Sequence, residues 1–286
     1  MPVQMVETIG QVRDHVARAQ RAGRLVGLVP TMGALHEGHA RLIETCRGSC
    51  DEVVVSIFVN PTQFGPNEDF SRYPRTLEAD LATCERAGAD LVFVPSAAEI
   101  YPSGATRTYV EVPGLSDVLE GASRPGHFRG VATVVLKLFG IVGPDVAYFG
   151  QKDYQQQVVL RRMVADLNVP VRIETVPTVR ETDGLAMSSR NRYLNADERR
   201  AATVLSRALR EAEGAVRAGE RSAERVRQIL LATLESERLA SVDYAEVADA
   251  DTLEPIAVLG EGRRGVALLA VRVGPARLID NAILPA

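Results

Sequence analysis

Tryptophan is absent from the 286 residues, and cysteine occurs only at Cys46, Cys50 and Cys84. Three cysteines make no disulfide framework and match no zinc-ligand spacing. They read as buried thiols of a reducing compartment, so a cytoplasmic location is expected. Positive charge is not in excess either: 33 basic against 37 acidic residues leave a formal net charge of -4. That balance argues against nucleic acid or an anionic membrane as partner. No apolar run approaches the roughly 18 residues that a membrane helix needs. The longest, residues 53–59 and 131–142, are interrupted by Ser56 and Lys137. The first 24 residues lack the apolar block of a secretory leader. Internal repeats and low-complexity tracts are missing as well. What remains is 46% hydrophobic and 24% charged, the make-up of a globular protein of one or two domains that acts on something small.

Lysine is the scarcest charge. Only Lys137 and Lys152 are lysine among the 33 basic residues, so each invites a question, because arginine and lysine are not equivalent at a site. Lys137 falls in an amphipathic helical stretch and reads as a surface charge whose stem snorkels. Lys152 falls in FGQKDYQQ, among glycine, aspartate and glutamine.

Hydrophobic patterning divides the chain. Residues 25–30, 52–59, 90–94, 145–149 and 171–176 are continuous apolar strands. Residues 39–46, 76–87, 131–141 and 154–166 read as helices between or beside them. Continuous strands alternating with amphipathic helices predict a parallel sheet covered on both faces. Residues 106–112 alternate instead and read as a hairpin or edge element. After Arg192 the pattern changes. Asn195 caps a long helix running through Glu213, residues 222–234 form another, and residues 242–247, 265–273 and 277–280 read as antiparallel strands. The expected organisation is an α/β domain over residues 1–179 and a smaller C-terminal α+β domain over residues 180–286.

Some motifs fail on context. Gly260, Gly262 and Gly265 spell a dinucleotide fingerprint, but the string precedes a strand and reads as a turn. Neither lysine ends a phosphate-binding P-loop. His36-Glu37-Gly38-His39 is one residue too short for a zincin helix.

Three clusters carry chemistry. In GLVP-TMGALHEGH-ARLIETC, Gly33 and Gly38 permit close backbone approach. His36 and His39 stand at the N-terminus of a helix, where anions bind and a histidine can donate to a phosphoryl oxygen. The same pair could equally be one capping histidine and one packed against the sheet. Lys152 offers a compact charge able to follow a phosphate, or a surface salt bridge, and Gln156 would share its helix face. Met187-Ser188-Ser189-Arg190-Asn191, flanked by Gly184, suits a loop closing over a triphosphate, and taken alone it is also an ordinary polar linker.

Together these clusters carry a resemblance. TMGALHEGH resembles the HxGH motif of the nucleotidyltransferase superfamily, and MSSRN its mobile KMSKS-type loop. FVNPTQFGPNEDFSRYPRT, PGHFRGVATVVLKL, FGQKDYQQ and VPTVRETDGLAMSSRNRYL are similar to the pantoate–β-alanine ligase family, in order, from about Val29 to Leu194. Gln151 stands where that family often has Glu, and Thr62 where Met is common.

The resemblance implies a Rossmann-like sheet with a C-terminal lid. It also implies ATP-dependent condensation of (R)-pantoate with β-alanine through a pantoyl adenylate, giving pantothenate, AMP and pyrophosphate. It places His36, His39 and Lys152 on the phosphates, with His39 the proton donor, and Asp153 on the ribose. Ser188, Ser189 and Arg190 fall on the β- and γ-phosphates. Met32, Gly33, Gly38, Gly150, Val179 and Met187 line the nucleotide cleft. Gln63 and Gln156 hold pantoate, with Gln63 also near β-alanine. Mg²⁺ is expected on the ATP phosphates with no protein ligand, and the chain is expected to be a homodimer. Another HxGH-type nucleotidylyl transferase acting on a small molecule is the alternative.

Overall fold

The computed structural model describes residues 3–66, 68, 70–104, 106–260 and 262–285. Asn67 and Asp69 of the polar loop, and Glu261 of the glycine string, lie outside the described residues. The chain divides into two compact units. One is Met1–Gly150 with Gln155–Pro177, and the other is Gln151–Tyr154 with Thr178–Ala286.

In the first unit six parallel strands run β1 (Gln4–Val6), β2 (Val26–Thr31), β3 (Glu52–Ile57), β4 (Leu91–Phe93), β5 (Val146–Gly150) and β6 (Arg172–Val176). Their order across the sheet is β1-β4-β3-β2-β5-β6. The helices are α1 (Ile9–Arg21), α2 (Glu37–Arg47), α3 (Leu77–Ala87), the single turns α4 (Ala97–Ile100) and α5 (Glu120–Ser123), α6 (His127–Val142) and α7 (Tyr154–Asp166). Alternate strand residues feed two cores. Leu28, Val54, Leu91 and Ala147 pack with α1, α6 and α7. Val29, Val53, Val55 and Tyr148 pack with α2 and α3. Burial on both faces is why these strands read as unbroken apolar runs. Each fully buried aliphatic side chain contributes about 1.5–3 kcal/mol.

All three cysteines are buried free thiols. Burial pushes the Cys84 thiol up to about 12. Gly27 sits in mid-strand because a Cβ there would collide with the Cys46 sulfur.

Two elements depart from expectation in this unit. The N-terminal segment forms β1, paired with β4, and α1, opened by a capping box between Thr8 and Gln11. Residues 106–112 form no strand. Their alternation instead buries Val112 in the core, while Val110 N–H donates to Thr133 Oγ1 on α6 at 3.0 Å. Lys137, expected to snorkel, is half-buried, with its ammonium 5.5 Å from the Tyr101 ring centre.

The second unit comprises α8 (Ala196–Ala201), α9 (Val204–Arg217), α10 (Ala223–Glu235) and the antiparallel strands β7 (Ala240–Asp249), β8 (Gly265–Val273) and β9 (Ala276–Ile283), ordered β7-β8-β9. Asn195 does cap a helix, with Glu198 completing the box. The expected long helix is nevertheless broken at Ala202–Thr203. There the Thr203 hydroxyl donates to Arg200 O at 2.7 Å, and backbone bonds of i to i−3 type tighten the turn.

Candidate active site

The strand order reverses between β2 and β5, and in open α/β sheets ligands bind outside the carboxyl ends at such a point. Both histidines lie just beyond the end of β2. Gly33 leaves the strand at φ 82° and Ala34 follows at φ 51°, a left-handed conformation that costs energy without glycine. A buried carboxylate holds it. Asp80 of α3, 2% exposed, accepts from Ala34 N–H at 3.0 Å, Leu35 N–H at 2.8 Å and the Thr76 hydroxyl at 3.1 Å.

His36 then caps α2, and each imidazole accepts a backbone N–H of the same turn. His36 Nδ1 accepts from Gly38 N–H at 3.1 Å, and His39 Nδ1 accepts from His36 N–H at 3.3 Å. Their ring centres are 4.2 Å apart. A ring nitrogen that accepts an N–H carries no proton, so each neutral ring holds its proton on Nε2. His36 is therefore the capping residue of α2, as one of the expected readings has it.

Gln63 is buried in a single 3-10 turn, Pro61–Gln63. Its amide Nε2 lies 3.1 Å from Met32 Sδ, and its Oε1 accepts from Asn60 Nδ2 at 3.1 Å. Asn60 is fixed in turn by the Tyr101 hydroxyl at 2.8 Å. His127 Nδ1 donates to Gln63 O at 2.9 Å, while its Nε2 accepts from Arg124 at 3.1 Å, and Glu68 grips Arg124 at 2.6 and 2.7 Å. Burial, and then the Arg124 charge, pull His127 down to about 4, so it is a neutral strut. Burial raises the Glu68 carboxyl, but the hydrogen bonds and charge of Arg124 outweigh it and leave it below its ordinary range. Glycine is required at 130, where a Cβ would stand 2.5 Å from Thr62 O and 2.7 Å from Gln63 N.

Three successive glutamines on α7 have separate fates. Gln155 is buried and bonded to Glu120 N–H, Leu115 O and Val118 O. Gln157 is buried against Arg161 and Thr175. Gln156 is half-buried, which leaves it the candidate for a ligand.

The other cluster belongs to the second unit. Lys152 lies in a 3-10 turn, Gln151–Asp153, between β5 and α7, so the expected helix face shared with Gln156 does not form. Its side chain is 22% exposed, with Nζ 3.8 Å from Asp153 Oδ1. Asn281 of β9 donates to the carbonyls of Gln151 and Lys152 at 3.0 and 2.9 Å, and the Tyr154 hydroxyl donates to Ala250 O at 2.8 Å. These bonds are why Gln151–Tyr154 groups with the C-terminal unit although it lies within the expected domain of residues 1–179.

Met187, Ser188, Ser189 and Arg190 are all half-buried, at the end of a braced hairpin. Arg180 bridges Asp280 at 2.7 and 3.0 Å, and Met187 N–H donates to Val179 O at 3.0 Å. Arg199 meets Glu181 and Asp183, and Asn191 Nδ2 meets Glu181 Oε1 and Ala186 O. Ser188 Oγ accepts from Arg190 N–H at 3.3 Å. An ordinary linker has no such bracing. The supports Asp80, Tyr101, Arg124 and Asn281 have no local sequence signal, whereas Asn60 falls inside FVNPTQFGPNEDFSRYPRT. Gly130 and His127 do fall inside the string PGHFRGVATVVLKL.

Known proteins of the same design exist. A model of the pantoate–β-alanine ligase family matches residues 4–283. The pantothenate synthetase of Moorella thermoacetica is 55% identical over 282 residues, covering 99% of each chain. That of Pelotomaculum thermopropionicum is 56% identical over 279 residues, covering 97% of each. The crystal structure of pantothenate synthetase from Thermus thermophilus superposes with TM-score 0.91 at 47% identity, covering 99% of this chain and 100% of that one. The Francisella tularensis pantoate–β-alanine ligase, complexed with β,γ-ATP and β-alanine, gives 0.79 at 34% identity, with coverage of 98% and 97%. The match runs nearly end to end in family, relatives and fold, and the chain belongs to the pantoate–β-alanine ligase family.

Proposed function

We propose a division of labour for two successive reactions among the residues described above. The chain is a ligase: it condenses pantoate with β-alanine, consuming ATP, through a pantoyl adenylate. The full-length family match sets aside a different HxGH-type nucleotidylyl transferase. In the first step a pantoate carboxylate oxygen attacks the α-phosphorus, the bond to the bridging oxygen breaks, and pyrophosphate leaves. In the second the β-alanine amine attacks the acyl carbon, loses a proton, and AMP departs with the electron pair.

The observation that carries the assignment is the pair of backbone bonds to His36 Nδ1 and His39 Nδ1, which fixes both rings at the N-terminus of α2 just beyond the end of β2. A helix N-terminus suits phosphoryl oxygens gaining charge, and His39 supplies the proton. Lys152 contacts the α-phosphate, Asp153 the ribose, and Ser188, Ser189 and Arg190 the β- and γ-phosphates. Met32, Gly33, Gly38, Gly150, Val179 and Met187 line the nucleotide. Gln63 and Gln156 hold pantoate, and Gln63 also adjoins β-alanine. Amides suit this task, because they donate and accept without adding charge.

Mg²⁺ arrives with the nucleotide. The proposed phosphate contacts are imidazoles, hydroxyls and cations, a set that suits an ion held mainly by phosphate oxygen and water. Residues 180–286 serve as the lid, the working form is a homodimer, and the location is the cytoplasm. Among the described residues no helix is long and apolar enough to cross a membrane. Incubation with ATP, Mg²⁺, pantoate and β-alanine tests the reading. AMP and pantothenate in equimolar amounts, read by mass spectrometry, are expected, and a stable adenylated product without AMP would overturn it.

A further inference from the structure

The last strand of the chain carries two adjacent polar side chains, Asp280 and Asn281, each 2% exposed. Successive residues of a strand point to opposite faces, so the two serve different neighbours. Asp280 holds Arg180 at the base of the hairpin that ends in Ser188 and Ser189. Asn281 holds the turn of Lys152, and every polar atom of its amide is used there. Both hydrogens of Nδ2 go to consecutive carbonyls, of Gln151 and Lys152, and Oδ1 accepts from Gln151 Nε2 at 3.3 Å.

We propose that Asn281 is a positioning residue for Lys152, acting on the adenylation step by clamping the two carbonyls that bracket the lysine's backbone. The proposal rests on the reading of Lys152 as the α-phosphate contact. A lysine has four rotatable side-chain bonds, so the protein controls where its ammonium reaches chiefly by fixing its root. Two donors from one amide onto two successive carbonyls fix the peptide planes on both sides of the Lys152 Cα. A primary amide provides those two donors together with one acceptor, whereas serine offers one donor and aspartate none. A clamp of this kind matters for a charge that must track a phosphorus changing geometry, where a displacement of about 1 Å costs on the order of a hundredfold in rate. The turn does not depend on Asn281 for its existence, since the Tyr154 hydroxyl ties its far end to Ala250 O independently.

The test is a double-mutant cycle on the full chain. Asn281→Ala and Asn281→Ser are made in the wild type and in Lys152→Ala. Pantoyl-adenylate formation is followed in a single turnover at saturating ATP. Lys152→Ala alone is expected to slow it by about 10²–10³. Asn281→Ala is expected to slow it roughly tenfold or more in the wild type and less than about twofold once Lys152 is gone. Asn281→Ser should fall between Asn281→Ala and the wild type. A cooperative thermal unfolding transition at an unchanged midpoint shows that the variants are folded. If Asn281→Ala does not fold, Asn281→Ser carries the same cycle. Equal losses in both backgrounds would overturn the clamp while leaving the assignment of Lys152 intact. An unchanged rate in Lys152→Ala alone would remove that assignment and the clamp with it.

Discussion

The histidine corner and the lysine turn both leave the carboxyl end of a parallel strand, yet they are held by different parts of the chain. In the corner each imidazole is held by a backbone N–H two or three residues away, and the main outside support, Asp80, is 46 positions from Ala34. It comes from α3, a helix of the same unit packed in the same core. The lysine turn is held by Asn281, 129 positions from Lys152, and the hairpin before Ser188 by Asp280, 100 positions from Arg180. A cap-and-helix motif largely organises itself, because its donors and acceptors lie within one turn. A short turn with a flexible cation at its tip does not. It is held by the last strand of the second unit, to which the turn itself belongs.

That contrast can be broken at several points. His39→Ala should abolish most AMP formation, with a loss of about 10²–10³, and preformed pantoyl adenylate should restore much of the second step. If the adenylate gives no rescue, the histidine is scaffold rather than adenylation chemistry.

Asp80→Asn tests the corner's support. Its two oxygens face two N–H donors, and an amide must turn one N–H toward another. Loss of about 3 kcal/mol in unfolding free energy is expected, with adenylation falling more than aminolysis. Equal falls in both half-reactions would make Asp80 a fold residue alone.

His127 gives a pH signature confined to the first unit. Its folded pKa, about 4, lies below the 6.5 of a free imidazole, so the unfolded state takes up the proton first. Its contribution to stability is therefore complete above pH 6.5 and is lost as pH falls from there toward 4, reaching about 3 kcal/mol. Denaturant titrations of wild type and His127→Gln at pH 7 and pH 4 should show their stability gap shrinking by that amount. A constant gap would mean that the imidazole is charged in the fold.

The smallest effect expected is from Lys152→Arg. The charge stays, but a planar fork must fit a turn whose carbonyls are already clamped. Adenylation should fall about tenfold, equivalent to about 1.4 kcal/mol. ATP affinity should change less, and Lys137→Arg is the control. Equal rates for all three proteins would reduce Lys152 to a generic cation.

Some of this is legible along the chain alone. The continuous runs around Val54 and Ala147 betray buried parallel strands because both of their faces are covered. The glycines and histidines of TMGALHEGH announce a strand–loop–helix corner through spacing alone. Residues 106–112 mislead for a related reason: alternation reports one buried side, and packing of Val112 in the core satisfies it as well as a ladder does. The helix expected from Asn195 through Glu213 breaks because a threonine hydroxyl competes for a backbone carbonyl. β1 and α1 escape a reading by pattern because Gln4–Val6 is three residues long and gains its place only by pairing with β4.

The sequence by itself determined the α/β pattern, the family, and the short strings that carry His36, His39, Lys152 and the serine loop. Local periodicity and motif spacing act over a few residues, and their physical meaning is complete there. Only the tertiary structure decided which polar residues hold those strings in place. Asp80 and Asn281 sit in unremarkable surroundings along the chain, and His127 is marked only by the family string around it. Their roles come from desolvation beside partners tens to more than a hundred positions away, where a buried donor or acceptor must be matched.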